Sequence, residues 1–161
     1  MRRRSIALAA ALSTITVLGC KDDSTSGASV SFPNLPDALI AGYCIQGNRT
    51  PGQSISGSVA TTDCPLGDGS YFETWRVRVA TTGSHRIAAT STFDNVLFLL
   101  RLDSYTNTSA QVTTIAVNDD TDGTNAVIAA ATLQAGADYF IVVNGFGATD
   151  TGPYSVTFTR N

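Results

Sequence analysis

From Ile55 onward polar and apolar residues alternate with a period of two. In Tyr71–Ala80, Trp75, Val77 and Val79 share one face, while Thr74, Arg76 and Arg78 share the other. That spacing predicts a half-buried strand. Ser84–Thr90 and Ala110–Val117 are threonine-rich and suit strands, and Asn125–Leu133, Asp138–Asn144 and Pro153–Thr159 continue the series. Asn95–Leu102 is apolar on both faces, as expected of a central strand covered on both sides. Turn dipeptides separate the runs: Asp68-Gly69, Thr82-Gly83, Asp122-Gly123, Ala135-Gly136 and Asn144-Gly145. Seven or eight short strands without a helical stretch predict an all-β sandwich or barrel.

The N-terminal region follows a different pattern. Arg2–Arg4 precede an apolar run from Ile6 to Leu18, closed by Gly19 and Cys20. This is the grammar of a secretory signal, and the run is short of the ~20 residues that span a bilayer. Val17-Leu18-Gly19-Cys20 resembles the lipobox of bacterial lipoproteins, with Val17 in place of the usual leucine. The resemblance implies a signal peptide over residues 1–19, lipid attachment at Cys20, and a membrane-anchored place in the bacterial cell envelope. Residues 20–36 are expected to be a flexible tether, because their first half is small and polar with nothing to bury. Residues 37–54, punctuated by proline and glycine, are expected to form an irregular strap with a short strand around Leu39–Cys44. Residues 55–161 are left for the β domain.

Export changes how cysteine and charge are read. Beyond Cys20, only Cys44 and Cys64 remain, a pair expected to form a disulfide in an oxidising compartment. Zinc is disfavoured, since His85 is the single histidine and no C-x-x-C occurs. The chain has 10 Lys+Arg against 13 Asp+Glu. Three of those arginines leave with the leader, so seven positive charges face thirteen negative ones, a net of about −6. No contiguous basic patch remains, which disfavours nucleic acid as a partner.

The acidic stretch Asn118-Asp119-Asp120-Thr121-Asp122-Gly123 fits the first half of an EF-hand-type loop, with alternate oxygens turned inward around a glycine bend. The second half fails, because Ala129 stands where a bidentate glutamate is needed. Two readings follow. Asn118, Asp119, Asp120 and Asp122 hold calcium with help from another loop, such as Asp63 or Asp68; or the stretch is a hydrogen-bonded Asx-type turn. A catalytic reading is weak. The acids crowd one exposed turn, and Glu73, the only glutamate, sits on a strand. His85 is expected at a strand start or rim; Ser84 and Ser91 are near it only in sequence, and no G-x-S-x-G elbow, P-loop or G-x-G-x-x-G occurs. Trp75 alternates with core valines and belongs with them. Tyr105 and Phe146 differ, because each is an aromatic inside an expected loop, where binding residues concentrate.

An ordered set of motifs resembles the bacterial pre-peptidase C-terminal domain: "GSV" at Gly57, "YFETWRVRV", "TFDNVLFLL", "VNDD" at Val117, "NAVI", "LQAGADYFIVV" and "TGPYSVTF". The resemblance covers about residues 53–160 and implies an antiparallel jelly-roll-like β-sandwich of about eight strands. Some members bind collagen and draw calcium ligands partly from a linker before the first strand; here that region lacks an acidic cluster, so collagen binding is not implied. The expected function is that of a non-catalytic, lipid-anchored envelope module binding a protein or polysaccharide. An envelope-structural or assembly factor, or a small secreted hydrolase, stands as the alternative.

Overall fold

The computed structural model describes residues 30–121 and 123–161. They form one short helix, α1 (Asp37–Gly42), and ten strands: β1 (Ile45–Arg49), β2 (Ile55–Val59), β3 (Cys64–Pro65), β4 (Tyr71–Val77), β5 (Gly83–Ser91), β6 (Asn95–Tyr105), β7 (Ala110–Asn118), β8 (Val127–Leu133), β9 (Asp138–Gly145) and β10 (Gly152–Arg160). One sheet has the order β1-β4-β9-β6-β7, with β3 paired to β4; the other runs β2-β10-β5-β8. The alternating sequence runs become β2 and β4 to β10, stacked as an all-β sandwich.

The inner faces meet in one core. Trp75, Val77, Leu97, Leu99, Ile141 and Val143 from the first sheet pack against Ile55, Val59, Ile87, Val156 and Phe158 from the second. Each such fully buried side chain contributes roughly 1.5–3 kcal/mol. Trp75 lies in this core, as its parity with Val77 and Val79 predicts. Continuous coverage on both faces belongs most fully to β9, the middle strand, in which every residue after Asp138 is buried. On β6 it fades toward Tyr105.

The N-terminal segment departs from expectation. Leu39–Cys44 is not a strand, because Asp37–Gly42 is helical. Pro36 enters the helix in extended geometry, and the Asp37 carboxylate suits the positive end of the helix dipole. Leu39 is buried with Leu35, Phe140 and Val142 on the outer face of the first sheet. The strand comes later, as β1, and it pairs with β4 in parallel, the exception in an otherwise antiparallel fold. Residues 31–36, the end of the expected tether, also lie against the sheet. Arg78 donates to the Ser31 carbonyl and Arg76 to the Pro33 carbonyl, while Phe32 lies under the Arg76 guanidinium. Cys44 and Cys64 form the expected disulfide, with Cα atoms 5.8 Å apart, joining the strap to β3. The leader, Cys20 and residues 21–29 of the tether lie outside the described residues. Among the described residues, no helix is long and apolar enough to cross a membrane.

Candidate functional site

Strand register gathers four loops at one end of the sandwich. Asn95 pairs with Gly145 and Leu97 with Asn118, so β6 begins where β9 and β7 end. Gly152 pairs with Val59 and Phe72 with Asn144, which brings the ends of β2 and β9 to the starts of β10 and β4. Residues 60–70, 92–94, 119–126 and 146–151 therefore share this end. Asp63, Asp68, Asp94, Asp119, Asp120 and Asp150 all belong to these loops. Arg49, Arg78, Arg86 and Arg160 lie toward the other end, as the pairings Arg49–Val77 and Arg86–Thr159 place them.

At the acidic end, one carboxylate oxygen each from Asp94, Asp119 and Asp120 lies within 4.8 Å of the others. Oxygens that share a calcium ion at about 2.3–2.6 Å stand no more than about 5 Å apart. Asp94 Oδ1 and Asp119 Oδ1 are both shielded from water and have no hydrogen-bond partner, a costly condition for a carboxylate. Burial raises the pKa of Asp94, and Asp120, Asp119 and Asp150 add to the rise. Burial likewise raises Asp119, with Asp120 adding. The donor set thus fits a hard cation. Asp94 is the other-loop acid that the sequence reading sought in Asp63 or Asp68. Those two are engaged elsewhere: Asp63 accepts from the Ala60 amide, and Asp68 accepts from both the amide and hydroxyl of Ser70.

Asn118 has a different part. Its Oδ1 accepts from Thr121 Oγ1 at 2.7 Å and from the Val127 amide at 2.7 Å, tying the start of the acidic loop to the start of β8. Asn118 is thus engaged within the loop, whereas Asp119 and Asp120 each bring a carboxylate oxygen near Asp94. Asp122 lies outside the described residues. A residue overlooked in the sequence holds the loops together: Asn95, fully buried at the head of β6. Its Nδ2 donates to Ser91 Oγ, Thr124 O and Asn125 Oδ1, and its Oδ1 accepts from the Ala126 amide. The available signal was an asparagine beside an acid, opening an otherwise apolar run.

Phe146 sits at this same end. Its amide donates to the Asp94 carbonyl at 2.9 Å, and its side chain is 59% exposed. Tyr105 is at the far end of β6, roughly 30 Å away by strand rise, and its hydroxyl donates to the Asn34 carbonyl. The two aromatics therefore stand at opposite ends of the first sheet.

The candidate acid–base and nucleophilic groups are engaged in hydrogen bonds within the fold. His85 lies near the start of β5, as expected, and is buried, with Nδ1 at 2.9 Å from the Gly83 carbonyl and its ring against Phe158. Burial lowers its pKa. Ser84 accepts from Asn161, and Ser91 donates to the Phe93 carbonyl. Glu73 is buried beneath Tyr154, whose hydroxyl donates to Glu73 Oε2 at 2.6 Å and accepts from Trp75 Nε1 at 2.7 Å.

No protein-family model matches the sequence, and no curated protein matches it. Solved structures that match this chain include the pre-peptidase C-terminal domain of a collagenase from Bacillus anthracis, at 16% identity and TM-score 0.48, over 70% of this chain and 93% of that one. The periplasmic inhibitor of g-type lysozyme from Aeromonas hydrophila matches at 16% identity and TM-score 0.44, over 73% of this chain and 99% of that one. The corresponding inhibitor from Salmonella Typhimurium matches at 16% identity and TM-score 0.37, over 71% and 98%.

Proposed function

We propose that this chain is a non-catalytic module of the bacterial cell envelope, lipid-anchored at Cys20, that binds a protein or polysaccharide through its acidic end. The observation that carries this reading is polarity along the strands. The four loops, the acidic group and exposed Phe146 occupy one end. The chain enters the described residues near the other, where Val30 shares a cavity wall with His85 and Arg160. A domain tethered through Val30 presents its loops away from the anchoring surface. Calcium held by Asp94, Asp119 and Asp120 would relieve their mutual repulsion and stiffen that end, a structural role suited to an external module. The engagement of His85 with the Gly83 carbonyl and of Glu73 with Tyr154 supports a non-catalytic reading.

Two measurements test the proposal. Binding arrays of envelope proteins and polysaccharides, probed with and without calcium, should yield a ligand whose affinity falls at least about ten-fold on Phe146→Ala, a loss typical of an aromatic anchor. Cys20→Ser should move the protein from the membrane fraction to the soluble one. Substrate turnover abolished by a single point mutation would overturn the reading.

A further inference from the structure

The outer face of the first sheet holds a cavity of about 510 Å³ between the strap and β1 and β4. Its size falls in the range of small-molecule sites, roughly 300–1,000 Å³. Leu35, Ile40 and Ile45 supply apolar wall, and Asn48 and Arg76 supply polar groups. Arg76 is the unusual member. Its side chain is only 3% exposed, yet its donors are incompletely used. Nε donates to Asp138 Oδ1 at 2.7 Å and Nη1 to the Pro33 carbonyl, while buried Nη2 has no partner. An N–H of a buried guanidinium left without an acceptor is costly.

Charge bookkeeping points the same way. Asp138 is shared between Arg76, at 2.7 Å, and Arg78, at 3.0 Å. Two guanidinium charges thus meet one carboxylate, leaving one positive charge in excess within this buried group; the Asp37 carboxylate in the cavity wall is exposed, where water and salt screen it. We propose that the cavity binds a small monoanionic carboxylate on a compact, partly apolar body, with one carboxylate oxygen accepting from Arg76 Nη2 and the body lying on Ile40 and Ile45. A single free nitrogen and the exposed Asp37 carboxylate in the wall disfavour a dianion such as phosphate. Phe32 lies against the guanidinium, 5.5 Å from ring centroid to Cζ, so ligand entry shifts that ring. This site is independent of the acidic end.

The test is a side-chain NMR titration of the purified protein with N-acetylalanine, its primary amide, and glucuronate. Either acid should shift the Arg76 and Asn48 side-chain signals with millimolar affinity, and the amide should bind at least ten-fold more weakly. Whichever acid binds more tightly shows whether a peptide terminus or a sugar acid is the better source. Ile40→Trp fills the cavity mouth without touching the Arg76–Asp138 pair, so it should abolish the shifts in a protein that still folds. Acid and amide titrating alike, shifts that survive Ile40→Trp, or no response at all would overturn the assignment.

Discussion

A methyl group at Gly57 would lie 2.2 Å from Glu73 Oε2 and 2.5 Å from the Tyr154 hydroxyl. The bare backbone of β2 therefore makes room for a carboxylate and a phenol facing inward from the two sheets. Gly57→Ala must displace one of them, and the expected cost is that of overpacking, roughly 1–3 kcal/mol by chemical denaturation. The same carboxylate leaves a signature in pH. Burial holds the pKa of Glu73 above the ordinary glutamate range, opposed by the Tyr154 hydrogen bond and assisted by Asp63. Folding thus favours the protonated form. This stability is present in full below the unfolded value of about 4.3 and is lost as pH rises through the folded value. Glu73→Gln keeps an acceptor for Tyr154 and removes the titration. Between pH 4 and 7, as a rough window from the ordinary glutamate value upward, its stability should decline less with rising pH than the parent's. Equal slopes would show that Glu73 ionises without penalty in the fold.

At the scale of the element, the strap matters most. The stretch reads as irregular because proline, glycine and a lone apolar turn carry no strong period. Yet α1 buries Leu39 to 1% exposure and β1 adds a parallel edge to β4. A six-residue helix is too short to persist alone; its apolar contacts and the Cys44–Cys64 bond hold it. The bridge closes a loop of 20 residues, for which chain entropy suggests a contribution of about 3 kcal/mol. The Cys44→Ser/Cys64→Ser double variant should lose about that much in urea titration and expose the apolar outer face to a hydrophobic dye. An unchanged midpoint would mean that Leu35 and Leu39 fix the strap unaided. The β strands were legible in advance because a period of two survives whatever the strands pack against. The helix was not, since its single buried leucine acquires meaning only through Phe140 and Val142 on a strand a hundred residues later.

Across the whole molecule, charge is sorted by strand direction, with loop aspartates at one end and most arginines toward the other. The acidic end carries strain of its own, since Asp94 and Asp119 both sit above the ordinary aspartate range through burial and mutual repulsion. The proposed calcium would replace the protons these groups favour. Thermal melting at neutral pH should then rise with calcium over chelator, by about 2.7 kcal/mol at one hundred times the dissociation constant. Asp94→Asn should erase that increment while leaving the chelated protein as stable as the parent, or more so, because the variant removes a repelled charge. No calcium-dependent shift in the parent at millimolar concentration would reduce the cluster to a solvated turn.

Alternation, turn dipeptides and the surviving cysteine pair are local or compositional properties. From them alone the sandwich, its eight principal strands, the core position of Trp75 and the disulfide could be read along the chain. Asp94 joining Asp119 and Asp120, Tyr105 and Phe146 standing at opposite ends of β6, and Arg76 lying half-satisfied in a cavity wall could not. Each depends on which strand ends meet, and that is settled by register and by the hands of the crossings between sheets. Residues tens of positions apart then become neighbours, and no local period records it.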